Sequence, residues 1–226
     1  MLLLGIDEAG RGPVIGPMVI AGVVIKEEKE KELRELGVRD SKELTRKERE
    51  DLFEKLLKII DGYKIEIISP NKIDEYVYNG KLNILEIKTI IKIIENLKAD
   101  KIIIDSPMRN VYKVLNYIKN NISYSPEIIV DIKADKNYIV VSAASIIAKV
   151  IRDREIDKIK KIVNIDFGSG YPSDPKTIKA IKEHYDVLEN FIRKSWKTIR
   201  SSKQKSIKDF LTKNKYFYDE RSPLQK

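Results

Sequence analysis

Gly5-Ile6-Asp7-Glu8-Ala9-Gly10-Arg11-Gly12-Pro13-Val14-Ile15-Gly16-Pro17 lies between two apolar runs, Met1 to Leu4 and Met18 to Ile25. Both runs have the make-up of buried strands, so Asp7 and Glu8 arrive where a core strand ends. A carboxylate taken out of water requires a counter-charge or a metal, and the glycines suit a backbone that must pass close to a ligand. An Asp-Glu pair before a glycine-rich turn is also ordinary solvated turn chemistry, and this stretch alone leaves both readings open. It does argue against a dinucleotide fingerprint. The spacing Gly10-x-Gly12-x-x-x-Gly16 is wrong for that motif, and a proline and a β-rich run follow where the motif demands a helix.

Downstream, strand-like and helix-like segments alternate. Lys26 to Leu36 reads as a short charged helix stopped by Gly37, and Thr45 with Glu48 forms a capping box opening a helix that runs to about Ile60. Tyr63 to Ile68 reads as a strand, Asn71 to Tyr78 as a short helix, and Asn83 to Leu97 as an amphipathic core-covering helix with no chemistry of its own. Lys101 to Ile104 is a strand ending on Asp105, followed by a helix over Val111 to Asn120, a strand over Glu127 to Ile132 and a helix from Ser142. The alternation predicts a layered α/β domain.

Of the 226 residues 42% are hydrophobic, enough for one substantial core with at most an appendage. There is no cysteine and a single histidine, His184, which excludes disulfides, thiol nucleophiles, cysteine zinc sites and a histidine cage. Any metal must be held by carboxylates. No apolar window approaches a membrane span and the N-terminus lacks a basic region followed by a signal-type core, so the protein is expected to be soluble and cytoplasmic, without a membrane partner; a monomer is expected as well. The net charge of +9 is concentrated at one end: residues 193–226 carry eleven Lys/Arg against three Asp/Glu. A basic end on a near-neutral body suits a polyanion such as nucleic acid, and equally a solvated lysine-rich tail.

Asp105 closes the run Ile102-Ile103-Ile104 at the sheet edge where α/β sites form, or caps a turn before Pro107. Asp135 lies in Lys133-Ala134-Asp135, ahead of a helix with small residues at 142–145 and 148. Ser142, Ser145 and Lys149 share one side of that helix. They could line a phosphate path, while tight helix-on-sheet packing would explain the small residues equally well. Asp40-Ser41-Lys42 occupies the joint between two helices, where a hydroxyl and an amine suit a phosphate and where a plain polar linker would also serve. Asp7, Glu8, Asp105 and Asp135 together supply four carboxylates from three segments. With no histidine or cysteine ligand, that is a set for Mg2+ or Mn2+, and two such ions about 3.5–4 Å apart would support phosphodiester hydrolysis.

Taken in order, Gly5 to Pro13, Asp40-Ser41-Lys42, Ile104-Asp105-Ser106, Lys133-Ala134-Asp135, Ser142 to Lys149 and Gly168-Ser169-Gly170-Tyr171-Pro172-Ser173-Asp174-Pro175-Lys176-Thr177 resemble the motifs of type 2 ribonuclease H, ribonuclease HII, in its archaeal form. The resemblance spans most of residues 1–200. It implies an α/β, ribonuclease H-like fold with a mixed five-stranded sheet flanked by helices. The catalytic domain would cover 1–185, a small basic helical appendage 186–212 and a polar tail 213–226. It implies further that Asp7, Glu8, Asp105 and Asp135 are the catalytic, metal-holding carboxylates. The backbone of Gly10, Arg11 and Gly12 would read a ribose 2′-hydroxyl, Tyr171 would stack near the ribonucleotide, and Lys42, Ser145 and Lys149 would contact phosphates. Without the resemblance, Tyr171 is also an ordinary aromatic ahead of the helix start at Asp174-Pro175. The implied reaction is hydrolysis on the 5′ side of a ribonucleotide, in RNA–DNA hybrids or at single ribonucleotides in duplex DNA, leaving 3′-hydroxyl and 5′-phosphate ends.

Near the C-terminus, Gln204-Lys205-Ser206-Ile207-Lys208-Asp209-Phe210-Leu211 resembles the peptide by which replication proteins dock on a sliding clamp. Gln204, Ile207, Phe210 and Leu211 would be its anchors, with Leu211 in place of the usual second aromatic; an amphipathic C-terminal helix could instead pack Ile207, Phe210 and Leu211 on its own domain. Two other functions stay open. A carboxylate nuclease for a different DNA substrate, such as a junction resolvase, would need the acids but not Gly10-Arg11-Gly12 or Tyr171. A non-catalytic clamp or nucleic-acid binder would have no use for four acids.

Overall fold

A computed structural model describes residues 1–38, 41 and 43–201. Five strands, β1 (Leu2–Ala9), β2 (Met18–Lys26), β3 (Gly62–Ile68), β4 (Lys101–Asp105) and β5 (Glu127–Asp131), form one sheet in the order β3-β2-β1-β4-β5. The sheet is mixed. β1, β2 and β3 are antiparallel neighbours, whereas β4 and β5, each reached through a helical crossover, run parallel to β1. The helices are α1 (Glu30–Glu35), α2 (Arg46–Ile59), α3 (Pro70–Tyr78), α4 (Leu82–Leu97), α5 (Val111–Lys119), α6 (Ala134–Asn137), α7 (Ile139–Val163), α8 (Pro175–Glu183) and α9 (Tyr185–Leu188). Among the described residues, no helix is long and apolar enough to cross a membrane.

β1 is central and covered on both faces, which is why it reads as an unbroken apolar run. Leu3 and Ala9 pack with the first half of α7 and with Leu52, Phe53 and Leu56 of α2. Leu4 and Ile6 pack with Ile90, Ile93 and Ile94 of α4. Each fully buried Ile or Leu contributes roughly 1.5–3 kcal/mol, so these two layers fix the sheet. Gly5 shows how close α7 comes: a Cβ there would lie 2.4 Å from the carbonyl of Val140. That contact accounts for Ala143, Ala144 and Ala148 as packing residues, all buried in the same layer.

Two of the boundaries that differ from those expected bear on the carboxylates. β1 continues through Asp7 and Glu8 to Ala9, because β2 pairs with it along that whole length, Asp7 facing Ala21 and Glu8 facing Ile20. Backbone pairing to a neighbour outweighs the poor strand propensity of the acids. α7 starts at Ile139, ahead of Ser142, and Asp135 sits on the separate short turn α6, divided from α7 by the extended Tyr138. The Thr45–Glu48 capping box forms at the head of α2. A third apolar cluster joins Val14 and Ile15 of the glycine loop to Ile156 and Ile159 of α7, Phe167, Leu188 and Ile192. It binds the loop after β1 to the C-terminal end of the described chain.

Candidate active site

The parallel register of β1 and β4 pairs Gly5 with Ile103 and Ile6 with Ile104. Asp7 and Asp105, the next residue of each strand, therefore stand together at the carboxyl ends of neighbouring strands. With Glu8 they form a trio in which one carboxylate oxygen from each residue lies within 4.8 Å of the other two. Asp105 Oδ1 accepts from the Ala134 amide at 2.9 Å, tying β4 to α6. Asp135, on α6, is 1% exposed. It lines the same cavity, of about 520 Å³, as the trio, although the trio closes without it. Ser142 does not face that cavity; its hydroxyl donates to the Asp135 carbonyl at 2.5 Å.

The trio sits in an expensive environment. Burial, then the charge of Glu8, raises the Asp7 carboxyl well above its ordinary value, and a hydrogen bond from Ser145 partly offsets this. Burial, then the charges of Glu86 and Asp105, pushes Glu8 up to about 7. Three close oxygen donors that cannot all carry charge comfortably fit a hard divalent cation, whose charge would relieve both burial and repulsion.

Cationic and polar groups line the rest of the cavity, among them Arg49, Lys149, Arg152 and Ser41. Ser41 and Ser145 share a hydrogen bond of 2.8 Å, and Lys149 Nζ donates to both hydroxyls. Ser145 is wholly buried, so it meets Asp7, Ser41 and Lys149 rather than open solvent. Arg49 holds this corner through the Leu44 carbonyl at 2.7 Å and Asp153 at 3.2 Å. Tyr171 lines the cavity beside Gly12, and the Arg152 guanidinium lies 5.2 Å from its ring centre. Lys42 and the clamp-like residues Gln204, Ile207, Phe210 and Leu211 lie outside the described residues.

The main support of the glycine loop comes from a residue counted in the sequence only as basic charge. Arg193, wholly buried, donates to the carbonyls of Gly16 at 3.0 Å, Arg11 at 2.9 Å and Gly10 at 2.6 Å. Trp196 Nε1 donates to the Gly12 carbonyl at 3.0 Å, and its ring lies 4.9 Å from the Arg193 guanidinium. Asp74 of α3 accepts from the amides of Lys194 and Ser195 and so sets the segment that carries both. The available signal was Arg193 and Trp196 following the apolar pair Phe191-Ile192, a pattern of a packed segment and not of a solvated tail. Asn83 and Glu86 of α4 also belong to the site's surroundings, as acceptors for Arg11.

The sequence model of ribonuclease HII matches residues 4–199. The chain belongs to the ribonuclease HII family. It is 44% identical over 217 residues to the ribonuclease HII of Pyrococcus abyssi, covering 94% of this chain and 96% of that relative. The crystal structure of ribonuclease H2 from Pyrococcus horikoshii OT3 superposes with a TM-score of 0.84 at 42% identity, covering 91% of this chain and 98% of the other. The ribonuclease HII of Archaeoglobus fulgidus, solved in complex with PCNA, superposes with a TM-score of 0.80 at 39% identity, covering 87% and 94%. The fold is the ribonuclease H-like mixed sheet, and the protein is a ribonuclease H, an endoribonuclease for RNA–DNA hybrids.

Proposed function

We propose that the protein hydrolyses the phosphodiester on the 5′ side of a ribonucleotide, both in hybrids and at single ribonucleotides embedded in duplex DNA, leaving 3′-hydroxyl and 5′-phosphate ends. Asp7, Glu8, Asp105 and Asp135 would hold two divalent ions, Mg2+ or Mn2+. One observation carries the reading: the carboxylate trio, with Asp7 buried and Glu8 and Asp105 half-buried, opens into the same cavity as Gly10-Arg11-Gly12 and Tyr171.

Bound divalent ions supply the positive charge that activates water and offsets charge developing on the phosphate and the departing 3′ oxygen. The chain's own residues place the substrate. Gly12 presents backbone with no side chain toward the ribose, so peptide groups come within reach of a 2′-hydroxyl. Tyr171, backed by Arg152, offers a flat face to the sugar or base. Lys149, steadied by Ser41 and Ser145, and Lys42 would meet phosphates. The basic C-terminal residues would add affinity for the duplex, and Gln204, Ile207, Phe210 and Leu211 would engage a sliding clamp. The Archaeoglobus relative solved with PCNA supports that last assignment.

The test is a duplex with one embedded ribonucleotide, incubated with Mg2+ or Mn2+ beside an all-DNA duplex of the same sequence. Cutting confined to the 5′ side of the ribonucleotide is expected, and equal cutting of both duplexes refutes the reading. For the tail, clamp capture unaffected by Phe210→Ala removes the clamp assignment.

A further inference from the structure

Arg11 directs side-chain hydrogen bonds to α4, although its charge still acts on Glu8 of the trio. Its Nε donates to Glu86 Oε1 at 2.7 Å and its Nη2 to Asn83 Oδ1 at 2.7 Å, both on the first turns of α4. Glu86 is 1% exposed, and its second oxygen, Oε2, is buried without a hydrogen-bond partner. A small enclosed space next to it is lined by Glu8, Asp7 and Asp105. Glu86 thus stands between the loop that carries Gly10 and Gly12 and the carboxylates at the end of β1 and β4. A carboxylate kept in such a place at the expense of one unsatisfied oxygen is costly, and a core-facing apolar residue would pack there without that cost.

We infer that Glu86 is a positioning residue for ribose recognition: by holding Arg11, it fixes the height of the glycine loop over the carboxylate trio and so the fit to a 2′-hydroxyl. The inference rests on the reading that this loop meets the ribose. Arg193 holds the loop by its backbone carbonyls, while Glu86 and Asn83 hold it by the side chain between the two glycines. With the side-chain hold gone, the loop keeps its fold but loses its register against the sugar. A substrate that offers a single 2′-hydroxyl then suffers, whereas DNA without one binds as before.

The experiment compares wild type, Glu86→Ala, Glu86→Gln and Asn83→Ala in Mg2+. It measures kcat and KM on a duplex with one embedded ribonucleotide, and Ki for the all-DNA duplex as a competitor. Glu86→Ala is expected to raise KM about tenfold with Ki within about twofold of wild type. Glu86→Gln, which keeps an acceptor for Arg11 Nε, should restore KM to within about threefold. Asn83→Ala, at the half-buried end of the clamp, should raise KM about threefold and gives an independent reading if Glu86→Ala melts early. KM and Ki rising together, or KM unchanged in Glu86→Ala and Asn83→Ala, overturns the inference. Wild type that cuts the two duplexes equally would instead defeat the reading of the loop on which the inference rests.

Discussion

Arg193 Nη2 donates to the carbonyl oxygen of Gly10 at 2.6 Å, across 183 positions of sequence. Burial and the neighbouring charge of Arg152 press against the Arg193 guanidinium, and the carbonyls of Gly10, Arg11 and Gly16 answer it. Arg193→Ala leaves those acceptors stranded, and each unsatisfied buried group costs about 1–3 kcal/mol. A loss of about 3 kcal/mol or more in unfolding free energy, read from denaturant titration, is expected. Arg193→Lys should recover only part of it, because an ammonium cannot span three carbonyls as a planar fork does. A loss under about 1 kcal/mol for Arg193→Ala would contradict the assignment.

Gly10 and Gly12 are glycines for different reasons, and alanine separates them. Gly10 has φ of +80°, and a Cβ there would lie 2.8 Å from the Pro17 carbonyl oxygen. Gly10→Ala should cost about 2 kcal/mol or more in stability. At Gly12 a Cβ would make only ordinary contact, 3.6 Å from the Tyr171 ring, so stability should hold within about 0.5 kcal/mol. The methyl would nevertheless occupy the space between the loop and Tyr171. A fall in kcat/KM on a ribonucleotide-bearing duplex of about tenfold or more is expected. Full activity in a stable Gly12→Ala protein would show that the sugar does not pass there.

The metal-free protein should lose stability as pH rises. Asp7 and Glu8 titrate higher in the folded chain than in the unfolded one, with Glu8 near 7. The folded chain therefore holds protons that the unfolded chain has already released above about pH 4.5. The favourable balance is complete below that pH and is lost as pH climbs through about 7. Solvent still reaches part of Glu8, which leaves an effect on the order of 2 kcal/mol, or roughly 4–8 °C in Tm between pH 5.5 and 8. Adding Mg2+ at pH 8 should restore it, and so should Asp7→Asn without metal, at the expense of cleavage. A metal-free Tm that is flat or rises over this range would contradict the described crowding.

How far this was legible depended on the range of each contact. The runs Met18 to Ile25 and Lys101 to Asp105 announced their strands because burial on both faces leaves an unbroken apolar pattern. Asp105 was legible for the same reason, standing where such a run stops. The extension of β1 through Asp7 and Glu8 was not, since it is imposed by pairing with β2. Arg193 left no periodic trace, because its partners lie at the other end of the chain. Glu86 was readable in principle. It lies on the buried side of α4 with Ile90 and Ile93, four and seven residues on, and a carboxylate on the apolar face of a helix demands a partner.

Asp105 and Asp135 should separate metal affinity from catalysis. Asp105 belongs to the trio of close oxygens, whereas Asp135 lines the cavity beyond it. An ion bound to the free protein will take the site with three converging carboxylates, since affinity for a hard cation rises with the number of charged ligands. In calorimetric titration with Mn2+, Asp105→Asn should weaken the tighter binding event about tenfold or more, and Asp135→Asn by less than about threefold. Both variants should cut a ribonucleotide-bearing duplex at least about a hundredfold more slowly, because a second ion over the phosphate would need Asp135. Equal weakening of Mn2+ binding by the two substitutions would place Asp135 among the ligands of the first ion and redraw the site around four carboxylates.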